Sequence, residues 1–148
     1  MYDAETINYY LEWFNNWLGA PAGTLMALAR IESGYDPSTG QFKNVCNWIG
    51  ACGLMQLRPA ALADVRSNYN VTVDPLDPIQ AIVAATLFFI VNYRYLTRAN
   101  VPNITWAALV AAYNGGWTAG RYYAQNGYAP SDEGRRYVAS WSQAVGIA

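Results

Sequence analysis

The longest apolar stretch in the chain, Ala81 to Val91 with Thr86 its one hydroxyl, covers eleven residues. A bilayer-spanning helix needs roughly 20 apolar residues, so this stretch is too short to cross a membrane. It is also longer than an ordinary strand. It predicts a helix buried in the fold, and a helix that is apolar all round must be wrapped by further elements. Asp77 before Pro78 supplies an N-cap and a helix-compatible first residue, and the helix is expected to reach about Arg98.

The remaining segments carry helical periods. From Thr6 to Leu18, Ile7, Tyr10, Leu11, Phe14, Trp17 and Leu18 recur at helical spacing, and Gly19 and Pro21 end the pattern. Trp13 and Trp17 lie four apart and suggest a sugar platform, but a stripe at helical spacing is more often core, and core is the expectation for both. A second helix is expected from Ala22 to Ser33, stopped by Gly34 with Pro37 beyond. Pro59 to Asn68, Ile104 to Tyr113, Thr118 to Gln125 and a helix opened by Ser131 and running to about Val145 complete the set. Ser38 to Gly53 reads as a long, partly packed loop. Val71 to Val73 is expected to pair briefly, but no longer strand alternation exists, so the fold class is all-α.

Hydrophobic residues make up 53% and charged residues 13% of the 148, which excludes a disordered chain. A net charge of -1 gives no electrostatic footprint for nucleic acid or an anionic membrane. The absence of histidine removes Ser-His-Asp, Cys-His and His-ligated metal chemistry, and no cofactor or metal is expected. Cys46 and Cys52, six apart, cannot close a structural zinc site alone; they either form a loop disulfide or stay as reduced thiols in a packed loop. Asp3 and Glu5 stand where a secretory signal would carry basic residues, so no signal peptide is expected.

Glu32 is the residue that points to chemistry. It falls on a small and apolar helix face near a helix C-terminus, where burial and the negative end of the macrodipole both disfavour its charge. Both effects raise its pKa above the usual value of about 4.3, towards the value of about 6 that suits a glycosidase acid at neutral pH.

Around it stand four ordered blocks: Glu32-Ser33-Gly34-Tyr35-Asp36-Pro37, Gly50-Ala51-Cys52-Gly53-Leu54-Met55-Gln56, Ala112-Tyr113-Asn114 with Gly116, and Glu133-Gly134-Arg135-Arg136-Tyr137-Val138. In content and order they resemble the soluble lytic transglycosylase family, whose fold is goose-type-lysozyme-like with a central buried helix and a glycan cleft. The resemblance spans about Leu25 to Tyr137 and implies one catalytic domain over residues 1–148. It implies that Glu32 is the sole catalytic carboxylate and that Ser33 hydrogen-bonds near the muramyl group. It further implies that Met55 and Gln56 line the glycan cleft, that Asn114 bonds the sugar amide with Tyr113 beside it, and that Tyr137 orients Glu32. Ordinary core packing is the competing reading for Met55, Tyr113 and Tyr137. Gly134 and Gly115 depart from the family's usual Thr and Ala, and the Cys46 to Cys52 loop is a local elaboration.

Most glycosidases flank the bond with two carboxylates, and a single one leaves the substrate's N-acetyl oxygen to act as nucleophile. The resemblance implies cleavage of the MurNAc-GlcNAc β-1,4 bond with 1,6-anhydro-MurNAc ends. The competing enzyme is a lysozyme-like muramidase using Asp36 or another acid, although Asp36 before Pro37 reads more naturally as a turn. A non-catalytic glycan-binding virion component is the alternative of a different class. The expected partner is the peptidoglycan glycan strand, in the periplasm or cell wall, with neither nucleic acid nor membrane insertion. A phage-borne module, or part of a larger virion or exported protein, is the expected setting.

Overall fold

The computed structural model describes residues 2–147. Among them it contains α1 (Ala4–Leu18), α2 (Thr24–Ser33), α3 (Pro59–Tyr69), α4 (Pro78–Arg98), α5 (Trp106–Gly115), α6 (Trp117–Asn126) and α7 (Asp132–Val145), with no strand beyond isolated bridges. The all-α expectation holds. Each predicted helix is present to within a few residues, whereas residues 71–73 are irregular chain outside any strand or bridge. The isolated bridges lie elsewhere, between Cys46 and Cys52 and between Cys52 and Leu57. Packing divides the chain into two compact units, one up to Phe88 and the other from Phe89.

In the first unit α1 packs on α2 through Ile7 and Leu11, with the amide of Asn15 continuing the buried stripe. A buried amide must be hydrogen-bonded. Asn15 accepts from Leu25 N–H at 3.0 Å and donates to the carbonyls of Ala20 and Pro21, so it fixes the α1–α2 turn and serves an N-terminal amide of α2. Trp13 and Trp17 are not core as expected: they are 48% and 58% exposed. The buried stripe of α1 runs 7, 11, 15, and positions 9, 13 and 17 each lie two residues further, about 200° round the helix. The spacing was right for a stripe, but the helix has two, and the core takes the other one.

α4 is long and apolar enough to cross a membrane by length and composition alone, yet 56% of its apolar window is buried within the fold. Ala81, Ile82, Ala84, Ala85, Phe88, Phe89 and Val91 are all buried, as the sequence predicted. Asp77 caps it as expected, accepting from Ile79 N–H at 3.0 Å and Gln80 N–H at 3.1 Å.

In the second unit α5 is buried from Ala108 to Tyr113 and packs against α6 and α7. Small residues set that approach. A Cβ on Gly120 would lie 2.8 Å from Ala112 Cβ and 3.0 Å from the Ala108 carbonyl oxygen. Thr105 and Ser131 cap α5 and α7, and α7 buries Gly134, Tyr137, Val138 and Trp141 at the i, i+3, i+4, i+7 spacing of one face.

Candidate functional site

α2 buries Leu25, Leu28 and Ala29, and Glu32 extends that face by one turn as a half-buried residue next to the helix end. Gly34, at φ 69°, closes the helix in the left-handed conformation, with its N–H on the Arg30 carbonyl. The Ser33 carbonyl accepts from Lys43 N–H at 2.9 Å, so the chain after the turn returns to cap the helix.

Ser33 is buried, and its hydroxyl donates to the Leu54 carbonyl at 2.8 Å, with the Ala29 carbonyl at 3.0 Å. The Glu32-Ser33 block and the Gly53-Leu54-Met55-Gln56 block are thereby joined. Gly53 is required where it stands. At φ 80° its ideal Cβ would fall 1.8 Å from the Pro75 carbonyl oxygen. Met55 has no exposed surface, as core packing would leave it. Gln56 is half-buried with φ 47°, a left-handed backbone uncommon for a residue with a Cβ. Its amide donates to the carbonyls of Val45 and Gly53, both at 3.0 Å, which fastens the preceding loop to the block.

Cys46 and Cys52 form a disulfide at the base of that loop, with Cα atoms 4.0 Å apart. Asn47 organises its interior: its side-chain oxygen accepts from Ile49 N–H and Ala51 N–H, and its own N–H reaches the Ala51 carbonyl.

Asp36 is exposed, and Oδ1 accepts from the Ser38 hydroxyl at 2.6 Å and the Ser38 N–H at 2.9 Å. The Ser38 hydroxyl bond, followed by its N–H, holds this carboxyl below the ordinary carboxylate range. The turn expected from Asp-Pro is therefore what this residue makes. Beside it Tyr35 is buried and donates to Asn8 Oδ1 at 2.6 Å, which ties the segment after α2 back to α1.

The second unit joins the other two blocks. Asn114, half-buried at the end of α5, donates through a long 3.5 Å bond to Glu133 Oε1 at the start of α7. Tyr113 is buried and stacks on Phe89, with centroids 5.1 Å apart. Tyr137 is buried on α7. Gly134 has a local reason: a Cβ there would meet Ala129 Cβ and Ser131 Oγ, both at 3.0 Å. Gly115 has one too, since its Cβ would lie 2.7 Å from Ala119 Cβ.

A family model for the transglycosylase SLT domain matches residues 14–135. The chain belongs to the SLT transglycosylase family. The seven helices among the described residues are the lysozyme-like helical fold of an SLT domain, and the family implies peptidoglycan as the substrate. No curated protein matches the chain. Within the SLT match fall Glu32 and three of the four blocks complete, the last being cut at Arg135. The sequence missed two features of this SLT domain: the close approach of Pro75 to Gly53, which only a folded chain displays, and the hydrogen bonds by which Asn47 organises the 46–52 loop.

Proposed function

We propose that this SLT domain is a lytic transglycosylase that cleaves the MurNAc-GlcNAc β-1,4 bond with Glu32 as its only catalytic carboxylate. The observation that carries this reading is the contrast between two acids. Glu32 ends the buried face of α2 beside the block that the family places in its glycan cleft, while Asp36, the nearest carboxylate in sequence, is exposed and occupied by Ser38.

With one carboxylate the reaction balances without water. Glu32 protonates the departing GlcNAc oxygen while the substrate's N-acetyl oxygen attacks the anomeric carbon. The carboxylate then removes the proton of the muramyl 6-hydroxyl, whose oxygen closes on that carbon and displaces the N-acetyl oxygen. Glu32 is returned protonated, and the strand ends in 1,6-anhydro-MurNAc. Gln56, Tyr113, Asn114 and Tyr137 keep the substrate-binding and orienting roles that the family resemblance implies. Ser33, with its hydroxyl on Leu54, is a positioning residue in this scheme. We further infer action on the cell wall, as a module delivered by a virion or an exported parent protein.

Mass spectrometry of muropeptides released from purified sacculi in heavy-oxygen water tests the reaction. The expected product is the anhydro form, about 18 Da lighter than hydrolysed muramic acid and free of solvent label. Reducing-end muramic acid carrying solvent oxygen as the main product would establish the muramidase instead.

A further inference from the structure

Trp48 is 95% exposed. Single exposed apolar residues are common, but the scaffold under this one is not that of an ordinary loop tip. The Cys46–Cys52 disulfide closes the base. Above it, Asn47 accepts from Ile49 N–H and Ala51 N–H, its N–H donates to the Ala51 carbonyl, and Gly50 N–H donates to the Asn47 carbonyl at 3.0 Å. Val45 and Ile49, near Trp48 in sequence, are 46% and 45% exposed. The backbone on either side of Trp48 is held by these bonds, while the three apolar side chains are left exposed.

The loop is also continuous with the candidate site. Cys52 exchanges both backbone hydrogen bonds with Leu57, Gly53 N–H reaches the Val45 carbonyl at 3.1 Å, and the Gln56 amide donates to that same carbonyl. From Glu32 the path runs through Ser33 to Leu54, through Gln56 to Val45, and from there to the stapled loop. A loop backbone already held by these bonds has less conformational entropy to lose on binding than a free one.

We propose that Trp48 is a glycan-stacking platform, an additional subsite that grips the peptidoglycan strand beyond the sugars at the cleaved bond. The electron-rich face of an indole complements the polarised C–H groups on one face of a pyranose ring. The occupant is the glycan strand because the loop adjoins the Met55-Gln56 block, through the Gln56 amide on the Val45 carbonyl and the paired backbones of Cys52 and Leu57. This subsite rests on the lytic reading for its purpose, but its existence is tested separately.

The test uses Glu32→Gln protein, which binds without cutting, and peptide-free glycan strands, with affinity measured by co-sedimentation or calorimetry. Trp48→Ala in that background should weaken binding on the order of tenfold, the scale of one lost aromatic stacking contact. Trp48→Phe should restore most of it, and Cys46→Ser with Cys52→Ser should weaken it in part, since the indole stays but its support is loosened. Unchanged affinity for Trp48→Ala would overturn the proposal. So would Trp48-dependent binding to phosphatidylglycerol and phosphatidylethanolamine vesicles with no such effect on glycan, which would make the loop a membrane contact. If the wild-type protein failed to cut sacculi, the lytic reading would fall, while Trp48-dependent glycan binding would still uphold the subsite.

Discussion

The hydroxyl of Ser33 lies 2.8 Å from the carbonyl oxygen of Leu54 and is buried with it. This bond ties the last turn of α2, which carries Glu32, to the Gly53-Leu54-Met55-Gln56 segment. Ser33→Ala leaves the Leu54 carbonyl buried without that donor, and the cost of such a group is about 1 to 3 kcal/mol. Urea denaturation should show a loss in that range, with a fall in lytic rate that Ser33→Thr only partly reverses.

Glu32→Gln should leave the fold intact, because the amide matches the protonated acid in shape, while lytic activity falls by at least ~10² to 10⁴. Far-UV circular dichroism and turbidity clearing of sacculi read the two effects independently. Wild-type clearing by the folded variant would remove Glu32 from the mechanism.

Asp36→Asn separates the one-carboxylate mechanism from its two-carboxylate rival. The amide oxygen can still accept from Ser38, so the turn survives and lytic activity should stay within a few-fold of wild type. Asp36 is held below the usual carboxylate range by the Ser38 hydroxyl and N–H. Its folded pKa is therefore lower than its unfolded one, and the stability it adds is present above the ordinary carboxylate pKa and lost as pH falls through the folded value. Asp36→Asn should flatten that acid limb of the stability profile. A collapse of activity comparable to Glu32→Gln would mark Asp36 as the second catalytic acid.

The two glycines flanking the site differ in kind. Gly34 is left-handed with open space around its missing Cβ, so Gly34→Ala should cost only the ~1 to 2 kcal/mol of backbone strain. Gly53→Ala must also move the Pro75 carbonyl and should be far more damaging, to the point of poor soluble yield. Thermal melts of the two variants side by side check the order.

Leu11 is 1% exposed and Trp17 58% exposed on the same helix. Leu11→Ala should therefore cost about 2 to 5 kcal/mol, whereas Trp17→Ala, although it deletes the larger side chain, should cost under about 1 kcal/mol. Equal losses would mean that the outer face of α1 is covered in solution.

That contrast also shows which parts of the fold the sequence discloses. Period and punctuation place every helix to within a few residues, because Gly19 and Gly34 at helix ends and Asp77 and Ser131 at helix starts act through local chemistry that the chain carries with it. They do not say which of two apolar stripes on α1 faces inward. Asn15 decides that, and a buried amide reads in sequence as a polar, outward position. The place of Glu32 at the end of a helix is legible for the same local reasons, whereas no local signal says that Met55 is fully buried. A family motif marks a region of the site without stating whether each member faces the ligand or supports a neighbour that does.

The fit of Gly53 under Pro75 also governs how the molecule can be rebuilt. The 46–52 loop closes on itself through its disulfide and meets the rest of the chain at Val45, Gly53, Leu57 and Pro59. Its tip should therefore accept a longer or different sequence as long as the Val45, Cys52 and Leu57 bonds and the buried Ala51 are kept. The segment around Pro75 should not, because its carbonyl occupies the space where any other residue at 53 would carry a side chain. Grafting should succeed at the loop and fail at residues 74–76 unless residue 53 is redesigned with them, so the two segments must be inherited or engineered as a pair.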